Sequence, residues 1–234
     1  MIWAMNGRVD DEAPFAAERA RMVERDLRKR GIRDEHVLEA MRRVPRHRFV
    51  SPAFATMAYA DAPLPTAEGQ TISQPYIVAL MTQALALSGG EKVLELGTGS
   101  GYQTAVLTEL GAEVWSVERS SGLLAAASTR LTSLGYPRIH LVLGDGTLGL
   151  PAESPFDRIL ATGGLPQVPL NLISQLRPAG VFVGPIGELF DQRLVRIEYD
   201  PPHTKEETLC ACRFVPLVGE AGWPATARCP EEDS

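Results

Sequence analysis

The residues with the clearest chemical meaning form a glycine-rich segment, Gly97-Thr98-Gly99-Ser100-Gly101, and Glu95 lies two positions ahead of it. A glycine turn between a buried strand and a helix lets the main chain approach a ligand closely. Such a turn also directs unpaired amide N–H groups and the positive end of the helix dipole toward that ligand. The segment therefore predicts a loop that binds a nucleotide or nucleoside cofactor.

The spacing and charge of this loop favour one class of cofactor. Dinucleotide-binding loops place a third glycine three residues after the second, whereas the residue three after Gly99 is Tyr102. We expect the Glu95 carboxylate to face the ligand, where it would repel a pyrophosphate and attract the cationic methionyl part of S-adenosylmethionine. The loop therefore favours S-adenosylmethionine over a nicotinamide dinucleotide.

Two further acidic residues follow the next predicted strands. Glu118 closes the second strand, where a carboxylate can accept both ribose hydroxyl hydrogens in either class of cofactor. Asp145 follows the third strand in Gly144-Asp145-Gly146 and could accept from an adenine amino group. Either residue alone could be a surface carboxylate, paired for instance with Arg119, or a turn residue. Three acidic strand ends in sequence order favour a nucleoside site.

Alternating strands and helices must position these residues from Lys92 onward. This alternation implies parallel strands joined by right-handed crossovers, and hence an α/β fold with a doubly wound, mostly parallel, Rossmann-like sheet. Strands at 192–198 and 209–215, separated by Asp200-Pro201-Pro202, predict an antiparallel hairpin at the sheet edge. The other predicted strands are 93–96, 113–117, 139–143, 156–161 and 180–183, and the predicted helices between them are 102–110, 123–134 and 170–176.

The N-terminal part is predicted to be helical and then irregular. From Phe15 to Arg30 the apolar residues recur at three and four positions, which is a helical period, and Gly31 ends the pattern. A second helix is expected to begin after an Asp34 cap and to stop before Pro45. The proline-containing stretch 45–69 predicts an ordered, functional loop.

One more helix completes the expected organisation. It starts at Pro75 and stops before the Gly89-Gly90 pair. We therefore expect a single domain over residues 1–234, with an N-terminal helical and loop region at about 15–70 and a cofactor-binding and catalytic core at about 71–223.

Composition is ordinary for a globular protein, with 44% hydrophobic residues and a net charge of -6. The basic residues between positions 19 and 30 are interleaved with acidic ones at helical spacing, so a solvated helix is favoured over a nucleic-acid surface. Cys210, Cys212 and Cys229 have neither metal-ligand spacing nor an even number. No signal pattern or membrane-spanning apolar run is evident. We expect a cytoplasmic monomer with no metal, nucleic-acid or membrane partner.

Motifs along most of the chain resemble those of one enzyme family. They are Thr71-Ile72-Ser73-Gln74-Pro75-Tyr76, Val93 to Gly101, Val142 to Gly149, Pro155-Phe156-Asp157, Leu176-Arg177-Pro178-Ala179-Gly180 and Arg213-Phe214-Val215-Pro216-Leu217. In this combination, over about residues 21–223, the chain is similar to the protein-L-isoaspartate O-methyltransferases. The loop alone would indicate only a methyltransferase.

The resemblance implies methyl transfer from S-adenosylmethionine to the α-carboxylate of an L-isoaspartyl residue in a damaged protein or peptide. The ester would then cyclise to a succinimide, whose hydrolysis restores some normal aspartate. The carboxylate is ionised at neutral pH, so no general base is needed. Ser73 would be the active-site residue that bonds this carboxylate, although a serine two residues before a proline is also a good helix cap.

The family pattern and the strand ends together assign ligand-binding roles. The expected cofactor-binding residues are Thr71, Ile72, Ser73, Glu95, Gly97, Thr98, Gly99, Gly101, Glu118, Arg119, Asp145 and Gly146. The expected substrate-binding residues are Ser73, Ile186, Gln192, Val215 and Leu217. At the predicted sheet edge, a peptide could pair through its main chain irrespective of its sequence.

Two segments depart from the family pattern. Thr162-Gly163-Gly164-Leu165 replaces an alanine-rich run, and Gly184 stands where a larger apolar residue is common. Both lie near the expected substrate side. Two alternatives stay open: a methyltransferase for an aspartate in one specific partner peptide, and a non-catalytic module that keeps the cofactor. The chain stops soon after Trp223, which favours the general repair enzyme, and Ser73 weighs against the module.

Overall fold

A computed structural model of the protein describes residues 12–136, 139–168, 170–189 and 191–227. Its strands are β1 (Leu64–Pro65), β2 (Thr71–Ile72), β3 (Lys92–Leu96), β4 (Glu113–Glu118), β5 (Ile139–Leu143), β6 (Phe156–Ala161), β7 (Leu176–Gly187), β8 (Gln192–Asp200) and β9 (His203–Cys212). Its α-helices are α1 (Glu12–Met22), α2 (Glu35–Arg43), α3 (Pro75–Ala84), α4 (Tyr102–Glu109), α5 (Ser121–Ser133) and α6 (Leu170–Ile173).

Strands β3 to β9 form one seven-stranded sheet in the order β5-β4-β3-β6-β7-β8-β9. The pairs from β5 to β7 are parallel, whereas β8 pairs antiparallel with both β7 and β9. The doubly wound sheet and its edge hairpin are thereby confirmed. The chain runs outward from β3 to β5 and then crosses to β6 on the other side of β3. The carboxyl end of β3 is therefore a topological switch point, where open α/β sheets bind ligands.

The N-terminal helices follow the prediction with one irregularity. α1 continues directly into a π-helical turn, Val23–Leu27, and a 3₁₀ turn, Arg28–Arg30, before Gly31 ends the segment with a φ of 103°. Asp34 caps α2 as predicted, because its carboxylate accepts from the N–H groups of His36 and Val37 at 2.9 and 3.3 Å. Apolar residues of these helices form one buried cluster with α4 and α5.

The stretch 45–69 contains 3₁₀ turns and one short strand. β1 within it pairs antiparallel with β2, so that Leu64 lies opposite Ile72. The tip of this hairpin includes Glu68, which has a left-handed φ of 56°. The expected loop is thus an ordered arm that ends directly before Ser73.

The predicted end of helix 170–176 and the predicted start of strand 180–183 are both wrong. The helix is the single turn α6, and β7 begins at Leu176, which pairs with Phe156 of β6. The ladder then slips in register, and Ala179 lies within the slip at a φ of 63°. A bulge of this kind interrupts the alternation by which a strand is recognised in sequence.

The second strand of the edge hairpin lies earlier than predicted. β9 covers 203–212 rather than 209–215, although the turn is in the expected place, with Asp200 paired to His203. The first half of β9 is charged and exposed, so it lacks the apolar alternation of a half-buried strand. Residues 213–215 consequently lie beyond the strand.

Some predictions concern residues outside the described ranges, among them Cys229 and most of the segment after Trp223 that we expected to fray. Within those ranges Cys210 and Cys212 are free thiols. No group of three or more His, Cys, Asp or Glu side chains is arranged there to hold a metal ion. None of the helices described has both the length and the apolar character needed to cross a membrane.

Candidate functional site

The glycine-rich segment forms the turn between β3 and α4, as predicted. Gly97 and Gly101 have φ values of 95° and 85°, a region that disfavours side chains. A Cβ atom on Gly97 would lie 2.7 Å from the Thr162 hydroxyl oxygen. Glycine is therefore required at position 97 both by the backbone conformation and by this close approach.

A cavity of about 310 Å³ opens beside this turn. Its walls come from the glycine loop, the end of β4, the tip of the β1–β2 hairpin, the turn after β6 and residues 215–218. Small-molecule sites have volumes of about 300–1,000 Å³, so the cavity is large enough for a compact cofactor. The predicted cofactor residues that line it are Thr71, Gly97, Gly99, Glu118, Arg119 and Gly146.

Glu118 holds the glycine loop and faces the cavity. One carboxylate oxygen accepts from the Gly99 N–H at 3.0 Å, and the other accepts from the Ser120 N–H at 2.9 Å. Each oxygen keeps capacity for a further hydrogen bond. Glu118 can therefore accept ligand hydroxyl groups without releasing the loop, and its contact with a ribose stays a prediction.

Glu95 is wholly buried. It lines neither the cavity of about 310 Å³ nor either of two smaller cavities beside Ser73. Its Oε2 accepts from the hydroxyls of Thr104 and Ser116 at 2.5 and 2.6 Å. Burial raises the pKa of this carboxyl to about 7. Glu95 and Ser116 are register partners on β3 and β4, so both side chains point to the same face of the sheet. Strand alternation turns the Glu95 carboxylate into this buried network and away from the cavities, so its predicted position facing the ligand is not supported.

The loop residue Thr98 belongs to the same buried network. Its hydroxyl lies 2.6 Å from the Ser116 hydroxyl. When Glu95 is ionised, the single Ser116 proton goes to its carboxylate, so Thr98 then donates to Ser116. Ile72, Ser73 and Thr98 line a small cavity of about 50 Å³, whereas Gly101 lines none of the three cavities.

Asp145 does not line the cavity of about 310 Å³ beside the glycine turn, although the adjacent Gly146 does. Its carboxylate accepts from Thr147 N–H and hydroxyl at 2.9 and 2.6 Å, and from Glu220 N–H at 2.7 Å. Burial alone would raise the pKa of Asp145, but these hydrogen bonds hold it below its usual value. The predicted contact with an adenine amino group is therefore not supported, since the carboxylate anchors the C-terminal segment.

Ser73 lies in a second cavity of about 160 Å³. This cavity shares Thr71, Thr162 and Val215 with the larger one, so the two adjoin. The capping interpretation of Ser73 is wrong, because Gln74 is the N-cap residue of α3 and the Tyr76 N–H in the first turn donates to the Asp61 carboxylate at 2.9 Å. Among the described residues the Ser73 hydroxyl has no hydrogen-bond partner, which leaves it available to a ligand.

The predicted substrate residues separate into two groups. Val215 lines both cavities and Leu217 lines the larger one, whereas Ile186 and Gln192 line neither. Gln192 is wholly buried. The Leu217 N–H already donates to Gly164 C=O at 2.8 Å. The expected open edge for a peptide strand is therefore closed here by Gly164.

Two residues that the sequence analysis did not select take part in the site. Thr162 lines all three cavities, and its hydroxyl lies 2.6 Å from Gly97 C=O and 2.9 Å from Leu96 C=O. Its place directly after β6, next to the switch point, is a signal that could have identified it. Glu68 also lines the larger cavity and accepts from the Ser120 hydroxyl at 2.7 Å. Nothing in the local sequence indicates that contact.

Comparisons with known sequences agree on one family. A family model described as protein-L-isoaspartate(D-aspartate) O-methyltransferase matches residues 17–222. Protein-L-isoaspartate O-methyltransferase 1 of Syntrophobacter fumaroxidans is 53% identical over 209 residues, which are 89% of this chain and 98% of that protein. The corresponding enzyme of Syntrophus aciditrophicus is 52% identical over 212 residues, 89% of this chain and 97% of that protein.

Solved structures show the same architecture. A protein-L-isoaspartate O-methyltransferase superposes with a TM-score of 0.79 at 30% identity, covering 87% of this chain and 67% of that chain. A putative enzyme of this kind from Plasmodium falciparum, in complex with S-adenosyl-L-homocysteine, superposes with a TM-score of 0.74 at 24% identity, covering 86% of this chain and 98% of that chain. At 24% identity, the similarity to the Plasmodium falciparum protein is evidence for a shared fold.

Replacing Glu95 with glutamine should change how stability depends on pH. Because the folded pKa of Glu95, about 7, lies above the value of 4.5 for a glutamate in water, its protonation stabilises the fold below about pH 4.5. This stabilisation is lost as pH rises through about 7. Glu95→Gln lacks this titration. The unfolding free energy of the native protein minus that of the variant should fall by on the order of 3 kcal/mol over this range.

Urea unfolding of the cofactor-free protein at several pH values measures this difference. Glu206→Gln, on the exposed part of β9, is the control for the loss of one glutamate charge. A flat difference for Glu95→Gln would mean that Glu95 stays ionised in the folded protein.

Proposed function

Because the chain belongs to the protein-L-isoaspartate(D-aspartate) O-methyltransferase family, we infer that it methylates the α-carboxylate of L-isoaspartyl residues in damaged proteins and peptides, with S-adenosylmethionine as the methyl donor. The family indicated by the sequence motifs is confirmed. The observation that carries the proposal is the unpartnered Ser73 hydroxyl, which lies in a cavity adjoining the larger cavity at the glycine loop.

The larger cavity suits S-adenosylmethionine in size and charge. Its lining includes the carboxylates of Glu68 and Glu118, which complement a cationic ligand. We assign the ribose hydroxyls to Glu118, and the methionyl part to the main chain of Gly97 and Gly99. Gly146 would lie against the adenine, where the absence of a side chain leaves room. When bound, the cofactor supplies an electrophilic methyl group on a sulfonium.

Ser73 would hold the substrate carboxylate at the boundary between the two cavities. Its hydroxyl can donate to one carboxylate oxygen and leave the other free to react. A carboxyl group of this kind has a pKa of about 3.5, so the nucleophile needs no base. Catalysis then depends on positioning and on removal of water from the carboxylate. Ile77, Phe214 and Val215 provide apolar lining for that purpose.

Two matched peptides, one isoaspartyl and one aspartyl, test the substrate class. Incubation with radiolabelled S-adenosylmethionine should label the isoaspartyl peptide alone, because only there is the free carboxylate attached directly to Cα while the main chain continues through the side-chain methylene. A peptide with a free C-terminal carboxylate and no isoaspartate is the control. Label in the aspartyl peptide would instead favour a methyltransferase for one specific partner.

Replacing Ser73 with alanine should lower kcat/KM for the isoaspartyl peptide by about tenfold to 100-fold, since one hydrogen bond to the reacting group is lost. The Kd for S-adenosylhomocysteine should stay within about twofold, because the larger cavity is intact. Ser133→Ala, at an exposed position in α5, is the matched control and should match the native enzyme in both measurements. Native turnover by Ser73→Ala would remove Ser73 from the mechanism.

Replacing Glu118 with alanine should raise the Kd for S-adenosylhomocysteine by about tenfold or more, because hydrogen bonds to a charged acceptor are lost. The Gly99 and Ser120 N–H groups would also lose their acceptor. Isothermal titration calorimetry measures the affinity. Glu113→Ala, at the opposite end of β4, should bind as the native protein does. An unchanged Kd for Glu118→Ala would argue against a ribose contact.

A further inference from the structure

A short segment after β9 forms a wall common to both cavities. Arg213, Phe214 and Val215 line the Ser73 cavity, and residues 215–218 line the cofactor cavity. β9 ends at Cys212, so the main chain of this wall lies outside the regular ladder of the sheet. The position of the wall sets the distance between the two cavities, and some other group must hold it there.

The side chain of Gln192 provides that group at Phe214. Gln192 is the first residue of β8 and pairs with Cys212, the last residue of β9. Its side-chain oxygen accepts from the Phe214 N–H at 2.8 Å, and its side-chain nitrogen donates to the Phe214 C=O at 3.4 Å. The carboxamide thus takes the place of a peptide group and adds one hydrogen-bonded pair beyond the end of β9.

This pairing matters because Phe214 and Gln192 are both buried. Buried main-chain N–H and C=O groups need partners, since water cannot reach them. Beyond Phe214, the Gly164 N–H donates to Val215 C=O and the Leu217 N–H donates to Gly164 C=O, both at 2.8 Å. Gln192 therefore connects the start of β8 to the bridge at Gly164.

We propose that Gln192 is a positioning residue for methyl transfer, because its carboxamide fixes the wall between the Ser73 cavity and the cofactor cavity. It contacts neither cavity and acts through Phe214. This inference rests on the proposed function. Its main effect falls on the isoaspartyl peptide, because Gly164 and Asp145 also anchor the part of the segment that lines the cofactor cavity.

Two replacements of Gln192 separate the hydrogen bonds from the packing. Gln192→Met keeps the length and bulk of the side chain but cannot serve both Phe214 groups, so kcat/KM for the isoaspartyl peptide should fall by about tenfold to 100-fold. The Kd for S-adenosylhomocysteine should stay within about threefold.

Gln192→Glu should show rescue at low pH. A neutral carboxyl group can accept from the Phe214 N–H and donate to its C=O, whereas a carboxylate cannot donate and repels that carbonyl. Burial raises the pKa of such a carboxyl. The kcat/KM of Gln192→Glu, divided by the native value at the same pH, should be near one at about pH 5.5 and should fall toward the Gln192→Met value by about pH 8. Dividing by the native value removes titrations that both enzymes share.

Gln83 in α3 provides a matched control. Its side-chain oxygen only accepts, from the N–H groups of Arg33 and Asp34 at 2.7 and 3.0 Å. A carboxylate can still accept both, so the corresponding ratio for Gln83→Glu should not fall as pH rises. Loss of activity in Gln192→Glu with a flat ratio across pH would indicate general destabilisation and overturn the proposal.

Amide hydrogen exchange gives a readout that does not depend on turnover. Exchange at Phe214 and Leu217 should be faster in Gln192→Met than in the native protein, and exchange in β3 should be unchanged. Native-like kcat/KM in Gln192→Met, or a rise in cofactor Kd equal to the loss in kcat/KM, would contradict the positioning role. If the native protein failed to methylate the isoaspartyl peptide, the proposed function would be wrong. Unchanged amide exchange in Gln192→Met would separately exclude the role of Gln192 in holding Phe214.

Discussion

Gly97 leaves β3 with a φ of 95°, and any side chain there would collide with the hydroxyl of Thr162. This close approach ties the loop to the end of β6, while Glu118 ties it to the end of β4 through the Gly99 N–H. These two strands flank β3 at the point where the strand order reverses. The cofactor cavity therefore depends on three strand ends that are held together through the main chain of one turn.

The two glutamates at the ends of β3 and β4 have different physical roles. Glu118 is mostly buried but faces the cavity, and its oxygens organise N–H groups that would otherwise lack acceptors. Glu95 lies beneath the loop in a network with Ser116 and Thr98, and burial raises its pKa to about 7. One carboxylate is placed to meet a ligand, and the other supports the turn from below.

The C-terminal segment joins the cofactor side of the site to the substrate side. Asp145 accepts from the Glu220 N–H, Gly164 bridges Val215 and Leu217, and Gln192 pairs with Phe214. These partners come from three different parts of the sheet. Asp145 and Gln192, which the sequence assigned to ligands, thus hold the wall that the Ser73 cavity and the larger cavity share.

The sequence by itself determined the alternation of strands and helices, the Asp34 cap and the glycine turn, because each depends on residues close together in the chain. It also determined the family, because each family motif is a short run of residues. The boundary at Leu176 and the place of β9 could not be predicted, because a register slip and a charged edge hide the strand period. Tertiary structure alone decided that Glu95 points under the loop, that Asp145 and Gln192 hold the main chain, and that Thr162 and Glu68 enter the site. The reason is physical: the face toward which a side chain points, and the partner it meets there, depend on register and packing between segments that lie far apart in sequence.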